Sequence, residues 1–373
     1  MKIKTITCHD VYNYGASLQA LALQCFLEKA GHDVQIIDYK PDYIGFHYKF
    51  NWFVHPASGF KRYTDKSKVI HFLYCFSRYI WYLFSLRRKW AFDCFTKKYL
   101  RLTQTYKSSE EIKQNLDNTD TYIVGSDQVW NSVTMLNGLD SAFYLQFVPK
   151  QRRKISYAAS FGANMLNKEK HQQIIEWLKF LDAISVRETV GVELLRNENI
   201  ESEHVCDPVF LLSKEEWCNI LNIVPREDKY VLIYNLTAIN EKLLSDAITT
   251  AKEKGLKLYS VSPMKIYQAN KCFKSVSPQK FVELILGADY VFTNSFHATA
   301  FSLISNRQFF TYNYHSKGNS SRMESILMDV GLLSRFNIES IEDALHDPID
   351  YSIINVKIDT IRRNGQDWLI SNI

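Results

Sequence analysis

Short apolar runs alternate with helix-compatible segments along most of the chain, and this alternation constrains the fold more than any other feature. Residues 3–7 and 34–39 are strand-like, and residues 17–30 between them have helical spacing. Two strands joined by a helix form a parallel pair. The alternation resumes at residue 121, and a second cycle begins at residue 230. We therefore predict an α/β fold with two Rossmann-like lobes and a central cleft.

The predicted domain boundaries rest on these two cycles. A chain of 373 residues is long for one hydrophobic core, so two domains are expected. We predict an N-terminal lobe at residues 1–222, interpreted as the acceptor side, a C-terminal lobe at 223–350 and a helical tail at 351–373. Residues 41–115 are irregular and aromatic and are interpreted as an insertion in the first lobe. The polar segment 213–228 is interpreted as the link between the lobes.

Composition and charge exclude several classes of function. Hydrophobic residues at 46% and charged residues at 23% are typical of a globular protein. The net charge of +5 suits anionic small molecules or an anionic membrane, but it is too small for the dense basic patch of a nucleic-acid binder. The seven cysteines form no CxxC pair, which argues against a zinc site and a disulfide framework and favours a reducing compartment. We therefore predict a cytoplasmic protein without a bound metal.

Two common nucleotide-binding motifs do not occur in the sequence. No two of the 13 glycines stand in a GxG arrangement, and the P-loop pattern is missing. Nicotinamide chemistry and P-loop phosphoryl transfer are therefore not expected, and no cofactor is predicted. A nucleotide-sugar site needs neither motif, so that kind of site stays open.

Residues 69–86 form the most apolar stretch of the chain. His71 and Arg78 interrupt it, and three basic residues close it at 87–89, so it is not predicted to span a bilayer. One alternative is a helix that packs on the domain and hides its aromatic side. The other is peripheral contact with the inner face of the membrane through residues 69–90, because aromatic helices with a basic end can lie flat on a membrane.

Residues 288–305 carry the strongest signal for a functional site. A strand-like run at 290–292 stops at three small polar residues, and a helix-compatible run comes next with His297 in its first turn. Asn294 or Ser295 is in position to cap that helix. Ligands bind at the carboxyl ends of strands in α/β sheets, and a helix N-terminus suits anions. We predict acid–base work by His297 on an anionic substrate; a capping or hydrogen-bonding role is the alternative.

Polar groups recur where other predicted strands end. Tyr14 and Gly15 open a helix, and a glycine there lets the backbone approach a ligand, although a plain turn is the alternative. Residues 125–131 (GSDQVWN) come after another predicted strand. So polar a cluster is a poor loop filler, and Trp130 within it is predicted to stack on a sugar face.

Two arginines are candidate ligands for an anion, because a guanidinium can bind a carboxylate or phosphate through two parallel hydrogen bonds. Arg187 comes after a predicted strand, and a local ion pair with Glu188 is the alternative. Arg322 opens a predicted helix, where its charge opposes the helix dipole and needs a compensating anion such as a substrate. Asp207 and Pro208 are interpreted as a turn.

Six short segments form a specific pattern only when they are taken together. They are residues 12–20 (YNYGASLQA), 124–131 (VGSDQVWN), 156–162 (SYAASFG), 185–188 (SVRE), 293–297 (TNSFH) and 319–322 (NSSR). In this order and spacing they resemble the polysaccharide pyruvyl transferase family over nearly the whole chain. The resemblance implies a two-lobed fold similar to the GT-B glycosyltransferases. It also implies phosphoenolpyruvate as donor, a sugar of a surface-polysaccharide precursor as acceptor, lipid-linked carriers included, and a pyruvate ketal with released phosphate as products.

The resemblance and the chemistry of the donor together assign roles to residues. Phosphoenolpyruvate carries a carboxylate and a phosphate, so Arg187 and Arg322 are the predicted cations. His297 is predicted to supply or relay the proton that makes the enol carbon electrophilic, or to stabilise the departing phosphate. His297 and Arg187 are thus the predicted catalytic residues. The predicted substrate-binding residues are Arg322, Asn294, Ser295, Asn319, Tyr14, Gly15, Ser126, Asp127, Gln128 and Trp130.

The chain departs from the family pattern beside the histidine. Some cell-wall members carry Arg-Leu-His where this chain has Ser295, Phe296 and His297, so the arginine two places before the histidine is missing. Arg322 is expected to supply its charge from another direction. Ala298 also replaces a glycine that is often found after the histidine.

Two rival functions stay open at this point. One is a GT-B type glycosyltransferase with a nucleotide-sugar donor, which would share the fold and differ in the donor. The other is a non-catalytic glycan-binding relative that keeps the fold, for which substitution of His297 or Arg187 would leave ligand binding unchanged.

Overall fold

The computed structural model describes residues 1–45, 68–133, 137–162, 166–224, 229–236, 240–262, 265–313 and 321–373. Within these ranges the chain forms two separate parallel sheets flanked by helices. This arrangement confirms the predicted α/β class with two Rossmann-like lobes.

The first sheet has seven parallel strands in the order β3-β2-β1-β4-β5-β6-β7. Its strands are β1 Lys2–Ile6, β2 Asp33–Tyr39, β3 Leu102–Tyr106, β4 Thr121–Val124, β5 Arg153–Ala159, β6 Ala183–Val186 and β7 Glu203–His204. The helices that accompany it are α1 Tyr14–Lys29, α2 Lys68–Tyr99, α3 Ser109–Gln114, α4 His171–Leu178, α5 Thr189–Asn197 and α6 Lys214–Leu221. The strand order reverses between β1 and β4, and such a switch point opens a crevice at the carboxyl ends of the strands.

The second sheet has five parallel strands in the order β10-β9-β8-β11-β12. They are β8 Tyr230–Tyr234, β9 Lys257–Val261, β10 Lys271–Phe273, β11 Tyr290–Thr293 and β12 Gln308–Thr311. The remaining helices are α7 Glu241–Glu253, α8 Pro278–Leu286, α9 Phe296–Ile304, α10 Ser321–Val330, α11 Ile341–Leu345 and α12 Tyr351–Asn372. The order reverses between β8 and β11, so the strand that leads to His297 stands at the switch point of its own sheet.

Two parts of the chain are more regular than the sequence predicted. The segment 41–115 is not only an insertion, because it supplies β3, which pairs with β2 at the edge of the first sheet. The segment 213–228 contains helix α6, whose first turn is closed by a capping box between Ser213 and Glu216. The strand was missed because β3 is short, polar and mostly solvent-facing, with only Tyr106 buried.

The C-terminal helix α12 returns from the second lobe to the first. The main-chain oxygen of Asn372 accepts a hydrogen bond from Nε of Arg153 at 2.9 Å, and Trp368 packs on Tyr157 with ring centroids 6.1 Å apart. Arg362 donates from Nε to the main-chain oxygen of Phe210 at 2.9 Å. These contacts fix the short 3-10 helix Pro208–Leu211, which also packs on α1 and α9.

Helix α2 leaves much of its apolar side exposed over its first two-thirds. Nine large apolar side chains are between 38% and 70% exposed: Val69, Phe72, Leu73, Phe76, Tyr79, Ile80, Leu83, Leu86 and Trp90. The alternative in which this helix hides its aromatic side is therefore wrong. Across the part of the chain that the structure describes, no helix combines the length and apolarity needed to cross a membrane.

Candidate active site

Strand ends from both lobes bring a cluster of polar side chains together. Ser126 lies after β4, Arg187 after β6 and Asp207 after β7, all at the carboxyl edge of the first sheet. His297 arrives from the second lobe, in the first turn of α9 after β11. All four residues are buried, with between 0% and 7% of their surface exposed. We call Ser126, Asp127, Gln128, Arg187, Glu188, Asp207, His297 and Arg322 the polar cluster.

Asp207 is the centre of the polar cluster. Its Oδ2 accepts hydrogen bonds from Nη1 of Arg187 at 2.6 Å and from Oγ of Ser126 at 3.0 Å. The same oxygen lies 3.6 Å from Nε2 of His297. Its Oδ1 accepts from the amide of Val209 at 3.1 Å and so caps the 3-10 helix. One carboxylate therefore holds an arginine, a hydroxyl, an imidazole and a helix end.

The charges of the polar cluster shift one another. Burial alone would raise the pKa of Asp207, but His297 and Arg187 outweigh it and hold that pKa well below its usual range. Burial opposes the charge of Arg187, yet Asp207 and Glu188 raise its pKa. The pKa of Arg322 is lowered by burial first and by Arg187 second. Arg322 thus lies close to a second cation and is the less compensated of the two.

His297 is held between the two lobes. Ser295 caps α9 by accepting from the amide of Ala298 at 3.4 Å, which confirms one of the two predicted caps. On the other side the imidazole lies against Gly15, where a Cβ would come within 1.9 Å of Nδ1. Nε2 makes no hydrogen bond within the described ranges. The imidazole is therefore fixed in position with one buried nitrogen left unpaired.

The two arginines converge on the interior of the cluster. Nε and Nη2 of Arg187 are buried and have no hydrogen-bond partner among the residues described, while its guanidinium lies 4.7 Å above the ring of Phe296. Arg322 enters from α10, and the amide oxygen of Gln128, turned toward it, accepts from both Nη atoms at 2.9 and 2.8 Å. Buried donors like those of Arg187 are costly unless a ligand binds them.

The ion pair between Arg187 and Glu188, given above as the alternative, is not formed. Arg187 bonds to Asp207, and Glu188 instead accepts a hydrogen bond from the hydroxyl of Ser160. Oε2 of Glu188 is buried and has no partner in the described part of the chain. Asp127 lies further out, with Oδ1 3.9 Å from Nη2 of Arg187.

Two predicted substrate-binding residues are core residues. Trp130 is fully buried, its indole nitrogen donates to the main-chain oxygen of Phe143 at 2.9 Å, and its ring packs on Tyr144 and Phe161. It has no free face for a sugar, so the predicted stacking is wrong. Tyr14 is 1% exposed and stacks on Phe281 with centroids 4.3 Å apart.

The stacking of Tyr14 on Phe281 joins α1 of the first lobe to α8 of the second. Tyr14 is therefore a packing residue of the contact between the lobes, and its role in substrate binding stays a prediction. Its neighbour Asn13 caps α1 by accepting from the amides of Gly15 and Ala16. The first turn of α1 therefore places Gly15 in contact with the imidazole of His297.

The remaining predicted residues lie in or beside the polar cluster, with one outside the described ranges. Asn294 accepts from the amide of Leu236 at 2.8 Å, and its buried Nδ2 has no partner in the part of the chain described. Asn319 lies outside the described residues. The sequence interpretation missed the importance of Asp207: it does form the predicted turn, but the dipeptide gives no sign that the carboxylate also holds Arg187.

The sequence model of the polysaccharide pyruvyl transferase family matches residues 13–316. This chain belongs to the polysaccharide pyruvyl transferase family. The match spans all the residues of the polar cluster except Arg322, and it implies a transferase with a sugar acceptor. No curated protein sequence gives a significant match to the chain.

Solved structures resemble this chain at very low sequence identity. UGT89C1 from Arabidopsis thaliana, in complex with quercetin, superposes with a TM-score of 0.52 at 7% identity, over 99% of this chain and 98% of that one. UDP-GlcNAc 2-epimerase from Neisseria meningitidis, bound to UDP-GlcNAc, gives 0.48 at 8% identity, over 100% and 99%. The first likeness, together with the two sheets, confirms the predicted two-lobed GT-B-like fold of this pyruvyl transferase family member.

Gly15→Ala is expected to displace the imidazole of His297, since the new Cβ would overlap Nδ1. The measurement is the ring proton resonances of His297 by NMR, assigned with a His297→Gln variant. Gly125→Ala is the matched control, because its Cβ would meet nothing closer than Thr7 at 3.4 Å. Unchanged His297 resonances in Gly15→Ala would contradict the contact between the lobes.

Asp207→Asn is expected to lower the free energy of unfolding by about 3–5 kcal/mol near neutral pH, because Arg187 then lacks its buried counter-ion. A depressed pKa in the folded state stabilises above the unfolded value of about 3.9 and is lost as pH falls below it. The difference from wild type should therefore shrink below about pH 4. Urea denaturation across that range tests this, with exposed Asp367→Asn as control. A difference that stays constant with pH would show that the charge of Asp207 does not cause it.

Proposed function

We propose that this protein transfers the pyruvyl group of phosphoenolpyruvate to two hydroxyls of a sugar in a surface-polysaccharide precursor, forming a pyruvate ketal and releasing phosphate. Family membership supports the reaction class. The observation that carries the donor assignment is the pair of guanidiniums in one site: Arg187 keeps two buried donors without a partner among the residues described, and the pKa of Arg322 is lowered by burial first and by the nearby charge of Arg187 second. An anionic donor relieves that repulsion.

The donor has two anionic ends, and the polar cluster offers two cations for them. Nε and Nη2 of Arg187 form an edge of two adjacent donors, the geometry that a carboxylate or phosphate accepts. Arg322 adds a second guanidinium, aligned by Gln128. The N-terminus of α9 contributes its partial positive charge to the same side.

The chemistry requires one proton to be delivered and two to be removed. A proton added to the methylene carbon makes the enol carbon electrophilic, and one sugar hydroxyl attacks that carbon and loses its proton. The second hydroxyl then displaces phosphate, which leaves with the electron pair of the broken C–O bond, and its proton balances the departing group. We assign the proton transfer to Nε2 of His297, the buried nitrogen without a hydrogen bond in the described part of the chain. Such a residue contributes about 10²–10⁴ in rate.

Asp207 acts as a positioning residue beside the reacting nitrogen of His297, since its Oδ2 lies 3.6 Å from Nε2. Its carboxylate stabilises the protonated imidazole, and its bonds to Arg187 and Ser126 keep it from rotating away. The pKa of Asp207 is held well below its usual range, so it stays ionised while His297 gains and loses a proton. Phosphoenolpyruvate is a cytoplasmic metabolite, so the proposal places the protein in the cytoplasm.

Phosphoenolpyruvate should bind to the wild type, and Arg187→Ala and Arg322→Ala should each weaken binding about 10- to 100-fold, since a hydrogen bond to a charged group is worth about 1.5–3 kcal/mol. Calorimetry measures this, with exposed Arg363→Ala as the matched control. His297→Ala should retain binding and lose turnover.

Failure of the wild type to bind phosphoenolpyruvate, with and without candidate glycans, would overturn the donor assignment. Binding of a nucleotide sugar in its place would favour the glycosyltransferase alternative. Unchanged binding of glycan ligands in His297→Ala and Arg187→Ala, together with unchanged cellular polysaccharide, would favour a non-catalytic relative.

We also propose that α2 rests on an anionic membrane surface, which brings a lipid-linked acceptor to the cleft. Its exposed apolar side chains recur at helical spacing from Val69 to Trp90. Exposed basic residues lie further along the same helix at Arg87 and Lys98. An apolar side with a basic end is typical of helices that lie in a membrane interface.

A triple variant, Phe72→Ser, Phe76→Ser and Trp90→Ser, should lose binding to vesicles of phosphatidylglycerol and phosphatidylcholine. Full burial of each apolar side chain is worth about 1.5–3 kcal/mol, so three replacements remove most of the affinity. Flotation in a density gradient measures it. Val224→Ser and Tyr267→Ser replace equally exposed side chains elsewhere and serve as controls. Equal flotation of the triple variant and wild type, or no flotation of either, would contradict the proposed membrane contact.

A further inference from the structure

A second cavity lies in the first lobe, apart from the polar cluster. It has a volume of about 660 Å³ and is lined by the segments that come after β1, β2 and β3, by the start of β3 and by the C-terminal part of α2. That size accommodates a sugar or a disaccharide, within the range of about 300–1,000 Å³ usual for ligand sites. Its walls include charged groups from all four elements, together with Tyr12.

Part of the charge in this cavity is neutralised within the protein. Nζ of Lys40 lies 3.0 Å from Oδ1 of Asp38, and the same oxygen is 2.9 Å from Nε2 of His9. Lys89 pairs with Asp93 at 2.6 Å. Asp38 and His9 are buried, so Lys40 is anchored at the cavity wall by a network beneath it. The cavity is therefore built on fixed groups rather than on mobile surface chains alone.

Two lysines of the cavity form no ion pair through their ammonium groups within the described ranges, although Glu111 accepts a hydrogen bond from the main-chain amide of one of them, Lys107, at 2.7 Å. Lys97 and Lys107 form no ion pair with any residue there, although Lys107 donates to the main-chain oxygen of Lys40 at 3.2 Å. Lys97 comes from α2 and Lys107 lies directly after β3, so the two ammonium groups reach the cavity from different elements. A ligand that carries an acidic group would neutralise them.

The cavity also offers carboxylates and the aromatic ring of Tyr12, which are suitable partners for the hydroxyl groups and ring of a sugar. Asp10 lines the cavity, and burial raises the pKa of its carboxyl group. Tyr12 has a φ of 51°, which is unusual for a bulky residue. The main-chain oxygen of Tyr12 accepts a hydrogen bond from Arg88 at 2.8 Å, and the hydroxyl of Tyr12 donates to Asp93 at 3.2 Å. These two bonds hold Tyr12 in this conformation beside the cavity, and backbone strain of this kind clusters at ligand-binding and active sites.

The cavity stands one loop away from the reacting groups. Tyr12 lines it, and Gly15, three residues later, contacts the imidazole of His297. Three residues span at most about 11 Å, which is close to the length of two sugar rings. A glycan seated in the cavity can therefore extend over the β1–α1 loop toward the polar cluster.

We propose that this cavity is a subsite for the part of the acceptor next to the reacting sugar, and that it selects a sugar bearing an acidic group, phosphate or carboxylate. Lys97 and Lys107 bind the acid, while Asp10 and Asp93 accept hydrogen bonds from hydroxyls. The inference rests on the proposed function only in taking the acceptor to be a sugar. Recognition of the acid is a separate property of the cavity.

The test is ligand-observed NMR titration of the full chain with four probes: glucose 1-phosphate, glucuronate, glucose and inorganic phosphate. We expect the two acidic sugars to bind more tightly than glucose or phosphate. Lys97→Glu combined with Lys107→Glu should weaken them at least about tenfold, which corresponds to about 1.4 kcal/mol. Lys98→Glu, on the next residue and outside the cavity, is the matched control. The milder pair Lys97→Gln and Lys107→Gln should show a smaller loss in the same direction.

Several results would overturn the subsite. They are equal binding of glucose, equal binding of phosphate alone, no binding of any probe, or a control variant that weakens binding as much as the double variant. A preference between the two acidic sugars tells phosphate from carboxylate as the acid. Calorimetry with phosphoenolpyruvate on the same variants separates the two proposals, since the lysine variants should keep donor binding and Arg187→Ala should keep binding of the acidic sugars.

Discussion

The buried carboxylate of Asp207 is the interaction on which the rest of the site depends. A charge without access to water must be fully hydrogen-bonded, so Asp207 draws Arg187 and Ser126 from two different strand ends to one oxygen. The same side chain caps the 3-10 helix Pro208–Leu211. Because α1, α9 and α12 all pack on that helix, the position of the carboxylate is tied to the way the two lobes meet.

The lobes meet through contacts that leave little freedom for His297. Gly15 and Gly365 are both places where a methyl group would overlap a neighbour, the first at the imidazole and the second at the hydroxyl of Tyr157. The flat stacking of Tyr14 on Phe281 sets the spacing between α1 and α8. The distance from His297 to Asp207 is therefore fixed by aromatic packing and close backbone approach, which are stiffer than a loop.

The strand ends that form the polar cluster were predictable from the sequence, whereas the partners of their side chains were not. His297 and Arg187 lie just after short apolar runs, and the carboxyl edge of a parallel sheet gathers the residues that come directly after its strands. The same reasoning was wrong for Trp130, because a polar segment does not show which of its members turns inward. Asp207 was underestimated because an Asp-Pro dipeptide predicts a turn and does not show that its carboxylate is also a buried counter-ion.

Elements at the edge of the fold were also hard to predict from the sequence. β3 has only one fully buried residue, so its sequence lacks the apolar alternation that marks a strand. Its place in the sheet is decided by pairing with β2, which no local pattern encodes. For α2 the sequence left open whether its aromatic side is packed or exposed, because that depends on the neighbouring elements.

The local departure from the family pattern has a physical explanation in this fold. Position 295 is the cap of α9, and an arginine there would give up the hydroxyl that accepts from Ala298. Phe296 supplies a ring beneath the guanidinium of Arg187. In the proposed mechanism the missing charge comes from Arg322, which α10 delivers to the same cluster and Gln128 aligns. Burial lowers the pKa of Arg322 first and the charge of Arg187 lowers it second, and in the proposed mechanism the two cations share one anionic donor.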